Sequence, residues 1–202
     1  MPRIHHARAI AALTAGPLAV LAAGSLVWSA SDAAFTASTR NSGNAWSTGS
    51  VVLTDDDNGN AAFTVNSLVP GQTGTKCIVV SSNSTVAGQV RAYMKNLTDS
   101  AQNLSEHIKL TIEQGTGGTF NDCTGFTPSG TSLAPLDVKT LAATASDYSS
   151  GTSIWNTTGT PGEKRTYRGT WSFDTTGMTQ QEIDRLQGAT LSVDMVWELQ
   201  SN

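Results

Sequence analysis

WSTGSVVLTDDDNGNAAFTVNSLVPG, Trp46–Gly71, is the stretch on which the reading of the fold turns. Two apolar-alternating runs, Ser50–Thr54 and Ala61–Val65, flank an acidic turn rich in Asn and Gly. Side chains alternate along a strand, so Val51 and Leu53 share one face, as do Phe63 and Val65. Pro70-Gly71 closes the unit. Short alternating runs between such turns predict a β-hairpin on a half-buried sheet.

The turn itself, Asp55-Asp56-Asp57-Asn58-Gly59-Asn60, gathers carboxylate and amide oxygens, the hard ligands that calcium takes. An EF-hand loop needs a Glu at its twelfth position. Asn66 and Leu68 stand there, counting from Asp55 and Asp57. The plainer reading is a solvated turn whose Asn58-Gly59 supplies positive φ. Asp55, Asp56 and Asp57 are the chain's metal candidates, for calcium or zinc, against an expectation of no cofactor.

Downstream, the same strand grammar repeats. TKCIVVSS (75–82) and GQVRAYMKNL (88–97) read as strands around a turn at Asn83-Ser84. HIKLTIEQ (107–114) sets Ile108, Leu110 and Ile112 on one face and Lys109, Thr111 and Glu113 on the other, a strand with one solvated side. Residues 115–165 are loop-rich, with short strands expected at Leu133–Val138 and Ser153–Trp155 and a helical turn or two in Leu141–Tyr148. TYRGTWSFD (166–174) aligns Tyr167, Trp171 and Phe173. One helix, Gln180–Gln187, follows from a capping box of Thr179 and Glu182, a Met178–Ile183 staple and a stop at Gly188. ATLSVDMVWELQ (189–200) is the longest strand. The sum is an all-β antiparallel sandwich with jelly-roll-like connections and one short helix near the C-terminus.

Upstream, Arg3, His5, His6 and Arg8 precede the apolar residues 9–27. A basic segment, an apolar run and the small residues near Ser29–Ala34 predict a signal peptide over 1–31, cut between Ser29 and Ala34. A membrane anchor is the rival, since 19 residues approach a bilayer span. Residues 32–46 form an arm, with a short strand expected at Ala33–Ser38 and a turn at Asn41–Asn44; residues 47–202 form the sandwich domain.

Composition bounds the function. Charged residues are 14% of 202, and the net charge is −4. Without Arg3 and Arg8 the chain has 10 basic and 16 acidic residues, a net of −6. Such a balance argues against nucleic acid or an anionic membrane as partner. Cys77 and Cys123 read as one disulfide in an exported protein, closing a loop worth roughly 4 kcal/mol in chain entropy. Two unrelated buried thiols are the alternative. No catalytic constellation is visible. His107 is the one histidine beyond the leader, with no His-Glu-x-x-His helix around it. The sequons at Asn83, Asn96, Asn103 and Asn156 are what chance supplies in a chain rich in Asn, Ser and Thr.

Several blocks together resemble the TasA/camelysin group of exported proteins with a SipW-type signal peptide. They are Ala34-Phe35 after the leader, Thr48–Leu53, Val65–Gln72 with its Pro-Gly turn, and Leu186–Leu191 followed by Trp197–Gln200. The Cys77/Cys123 pair and the shorter middle region set the chain apart from the fibre protein of that group. The resemblance implies a jelly-roll domain and a secreted structural protein of the cell surface or biofilm matrix. Copies would assemble into fibres when Ala33, Ala34, Phe35, Thr36, Ala37 and Ser38 add to the next subunit's sheet. The expected partners are then the chain itself or other matrix proteins. Two other functions stay open. One is a camelysin-like cell-surface metalloendopeptidase, which would have to build its site from His107 and carboxylates. The other is an adhesion module with Trp46, Trp155 and Trp171 as contact residues.

Overall fold

The computed structural model describes residues 36–38 and 49–202. The expected signal peptide and its cleavage site lie outside the described residues. So do Ala33, Ala34 and Phe35, the turn at Asn41–Asn44, and Trp46.

Two antiparallel sheets carry the fold. The first has the order β1 (Thr36–Ser38), β10 (Leu191–Ser201), β4 (Gly88–Asp99), β8 (Thr152–Thr157). The second runs β2 (Leu53–Thr54), β3 (Thr73–Ser82), β9 (Glu163–Phe173), β5 (Ile108–Thr116), β6 (Thr127–Pro128). β7 (Leu133–Asp137) also pairs with β5. β3 and β4, β4 and β5, β8 and β9, and β9 and β10 each lie in opposite sheets, so the chain crosses the sandwich at every one of these connections. That alternation is jelly-roll connectivity, and the all-β sandwich expectation holds.

Alternation places the core. Val90, Ala92 and Met94 of β4 stand opposite Leu199, Trp197 and Met195 of β10. Ile108 and Leu110 of β5 stand opposite Phe173 and Trp171 of β9. Apart from the partly buried Met195, these side chains are buried, as are Ile112 and Tyr167. The Tyr167 and Trp197 rings, one from each sheet, lie 5.5 Å apart. Such a cluster is the main apolar driving force for the fold. The β4–β10 ladder shifts register between Ser192 and Asp194, where Asn96 of β4 adopts φ 53°. An extra residue in a left-handed conformation makes a β-bulge and bends the ladder.

Among the described residues, two short helices join the strands. α1 (Val138–Thr144) starts at Asp137, whose side chain accepts the Thr140 N–H, and buries Val138 and Leu141. It begins and ends earlier than the helical turn expected in Leu141–Tyr148, because Asp137 caps it. α2 (Gln180–Arg185) has both reciprocal bonds of the Thr179/Glu182 capping box. A 3-10 turn, Leu104–Glu106, precedes β5.

The opening hairpin is not formed, which corrects the expectation from Trp46–Gly71. Leu53 and Thr54 pair with Ser82 and Ser81 of β3, and residues 61–65 form no strand. Leu53 is buried at 6% exposure, whereas Val65 is 39% exposed. A local partner lost to a non-local one because β3 offers its Ser81–Ser82 edge beside the core, where Leu53 can be buried.

The core alternation predicts a sharp contrast. Ile112→Ala, at a position 2% exposed, should lower the unfolding free energy by about 2–5 kcal/mol. Ile154→Ala, at 41% exposure, should change it by less than about 0.5 kcal/mol. Urea denaturation of both variants checks the pair, and equal losses would contradict the inward face assigned to β5.

Candidate functional site

β10 is eleven residues long, and β4 pairs with it over nearly its whole length. On its other side, β1 covers only three residues: Thr36 opposite Gln200, Ala37 opposite Leu199, Ser38 opposite Glu198. Among the described residues, no strand pairs with Leu191–Trp197 on that side. An unpaired strand edge presents a row of N–H and C=O groups that other chains can use. The sequence assigned an assembly role to Ala33–Ser38, and the described part of that segment, Thr36–Ser38, lies on this edge.

A cleft of about 1250 Å³ opens between β10 and β3. Its floor is inter-sheet core, including Ile112, Tyr167, Trp171 and Trp197. Its mouth is formed by the irregular segment 55–68, with Phe63, Val65 and Leu68 on it. Phe63 meets Trp171 edge-on at 6.5 Å. Gly74 is needed on the β3 wall, since a Cβ there would lie 2.6 Å from Trp171 Nε1. Trp197 is 3% exposed, and its indole N–H has no acceptor among the described residues. A buried donor left unpaired costs about 1–3 kcal/mol. At the rim, Tyr93 donates to Glu198 Oε2 at 2.7 Å, and burial with that carboxylate pushes the phenol up to about 12.

The three acidic metal candidates do not converge on one point. Asp56 turns inward: Oδ1 accepts the Val79 N–H and Oδ2 the Phe120 N–H, each at 2.8 Å. Asp57 Oδ1 accepts the Gly59 N–H at 2.6 Å, bracing a turn in which Asn58 has φ 53° and Gly59 φ 77°. Asp55 is half-buried at the cleft, and its carboxyl is pushed up to about 6 by burial, by its hydrogen bond with Asp57 and by the neighbouring charges. A calcium loop aims its oxygens at one point; here they face backbone N–H groups. No group of three His, Cys, Asp or Glu among the described residues is placed to hold a metal. His107 ends the 3-10 turn, and its carbonyl accepts the Asp174 N–H at 2.8 Å.

Cys77 and Cys123 form the disulfide, with Cα atoms 5.4 Å apart. Trp155 and Trp171, the contact residues that an adhesion module would need, are core, at 4% and 7% exposure. Their inward positions on β8 and β9 remove them from any contact surface. The four sequon asparagines are exposed. Sequence reasoning missed the cleft itself, because it is built from strands far apart in the chain. It also missed Asp56, whose neighbours are chemically identical to it.

No helix among the described residues is long and apolar enough to cross a membrane. The chain matches no protein-family model and no curated protein. The likeness to the TasA/camelysin group therefore rests on the quoted sequence blocks alone.

Asp55 supplies a pH test. Its folded-state carboxyl titrates near 6 and an unfolded one near 3.8, so the folded state binds more protons between those values. Its contribution to stability is present below that window and lost as pH rises through it. The Asp55→Asn variant should therefore gain on the wild type in urea midpoint between pH 4 and pH 7. Parallel midpoints across that range would show that Asp55 titrates normally.

Proposed function

We propose that the chain is a secreted structural protein of the cell surface or biofilm matrix, and that its copies join by donating the N-terminal strand. One observation carries the reading. Among the described residues, β1 fills three positions of an eleven-residue strand, and no other strand lies on the rest of that edge beside an apolar cleft. The register of Thr36–Ser38 on β10 can form equally well between two copies, since the same backbone groups meet in either case. Exchange of an identical element between chains costs little beyond freeing it from its own subunit.

The chemistry of the cleft supports the same reading. A strand added along Leu191–Trp197 would bring main-chain hydrogen bonds to an unpaired edge and side chains to the cleft at every second residue. Continued in the Thr36–Gln200 register, residues 39–45 of a donated segment fall beside Trp197–Leu191. An entering strand also brings carbonyl oxygens, which the Trp197 indole lacks. Transfer from one copy to the next is head-to-tail, and head-to-tail contacts that do not close generate filaments. The leader-like segment over residues 1–31, the disulfide and the low charge support export. Nothing in the arrangement of His107 and Asp55–Asp57 favours the metalloendopeptidase reading.

The test is negative-stain microscopy and light scattering of the mature protein, with a free N-terminus beginning between residues 30 and 34. Fibres are expected from that protein. A variant lacking residues 33–40 should stay monomeric while keeping its far-ultraviolet circular dichroism. Equal assembly of the two proteins would refute strand donation.

A further inference from the structure

β10 carries two charged residues, Asp194 and Glu198. They alternate with Met195, Trp197 and Leu199 of the inner face, so both lie on the outer face of their sheet. Cations of β4 stand directly opposite them, Lys95 by Asp194 and Arg91 by Glu198. Neither of these makes an ion pair with its acid. The Arg91 guanidinium donates instead to Gln89 and to the carbonyls of Tyr148 and Ser149. Lys95 Nζ lies 5.4 Å from the centre of the Tyr93 ring. Asp194 accepts from the Asn96 amide at 2.7 Å, and Glu198 from the Tyr93 hydroxyl and the Gln200 amide at 2.7 and 3.0 Å. Among the described residues, both carboxylates thus have neutral partners and no cation.

The register of β1 shows what would supply one. Thr36, Ala37 and Ser38 stand opposite Gln200, Leu199 and Glu198. Two residues further along the same ladder, residue 40 falls opposite Val196, midway between Asp194 and Glu198. Residue 40 is Arg, the single charged residue between Ala33 and Thr54. Opposed residues of an antiparallel pair share a face, and diagonal neighbours about 7–8 Å apart are within reach of a long side chain. A guanidinium at this position can donate to either carboxylate. Parity matters as much as reach. A slip of one residue would turn Arg40 to the inner face, against Met195 and Trp197, where an unpaired charge is costly. In the unslipped register the inner face takes Thr39 and Asn41, which bring side-chain oxygens beside the Trp197 indole N–H that lacks an acceptor.

We propose that Arg40 of a donated strand docks between Asp194 and Glu198 of the accepting copy, and that this contact selects the strand and sets its register. The inference rests on strand donation as proposed above and names the side chains that make the donated segment recognisable. Main-chain hydrogen bonds along Leu191–Trp197 would form with any β-strand, so they give affinity without choice. A strand without a cation at this place makes the same ladder and leaves both carboxylates unpaired. The occupant of the edge is therefore residues 39–45 of a second copy of this chain.

The test uses the full mature protein in three forms: wild type, Arg40→Glu, and the double variant Asp194→Lys with Glu198→Lys. Light scattering gives the protein concentration at which fibres appear. Each variant alone should need about tenfold more protein than the wild type, because opposite charges become like charges at every junction. An equimolar mixture of the two variants should assemble near the wild-type concentration. In that mixture the Arg40→Glu strand enters the lysine-bearing edge, and the unaltered Arg40 of the double variant enters an unaltered acidic edge. Rescue by mixing shows that both variants fold and that the contact runs between copies. Asp194→Lys alone, at an exposed position, replaces the double variant if loss of the Tyr93–Glu198 bond unfolds it. An Arg40→Glu protein that assembles like the wild type, or folded variants that assemble no better mixed than alone, would overturn the proposal and leave strand donation standing. Failure of strand donation shows separately, as a wild-type mature protein that never assembles.

Discussion

A β-strand inside a sheet needs hydrogen-bonding partners on both sides, and among the described residues β10 has them along nearly its whole length on one side only. β4 satisfies one edge of β10 through an almost continuous ladder. β1 satisfies three residues of the other. The rest of the structure follows from that imbalance. A jelly roll is closed by its first strand, which lies beside its last. Where the first strand is short, the inter-sheet core is reached from one flank. The side chains along that flank are Trp197 and Met195 from one sheet and Ile78 and Trp171 from the other. They are core residues by burial and cleft residues by position.

Segment 55–68 is the answer to that exposed flank on the β3 side. It crosses the mouth of the cleft without forming a strand, using a few directed contacts in place of a ladder. Phe63 supplies the edge-on contact to Trp171, and Asp56 supplies two acceptors for backbone N–H groups. A carboxylate that accepts two N–H bonds does the work of a short piece of strand without offering a further edge. Asp57 and Gly59 then hold the turn that aims Asp56 inward. Asp56 thus turns away from Asp55 and Asp57, which bond to each other, although the three stand side by side in the chain.

Much of the fold was legible in the chain because period-two alternation and capping are local signals. Val90/Ala92/Met94, Ile108/Leu110/Ile112 and Tyr167/Trp171/Phe173 each name a core face correctly. The Thr179/Glu182 box marks its helix to the residue at the start. The pairing of Leu53 was not legible. Its alternation with Val51 fits a strand, but a strand's partner is a non-local choice, and here Ser82 won over residues 61–65. The separate roles of Asp55–Asp57 were not legible for the same reason. Oxygen-rich composition says what a turn could bind, whereas the nearest unpaired N–H groups, from Val79 and Phe120, decide what Asp56 does bind. The disulfide was read from compartment and parity, since spacing alone does not reveal that the two Cα atoms lie 5.4 Å apart.

The two edges beside the cleft are closed in physically different ways, and the difference has consequences. β1 holds β10 by a few backbone bonds over three residues, each worth about 1 kcal/mol net in water. Such a contact opens and re-forms readily, and its register is available to any identical strand. β3 is held by a side chain and a covalent bond. A disulfide does not exchange with a neighbour's strand, and Asp56 offers no repeating ladder to copy.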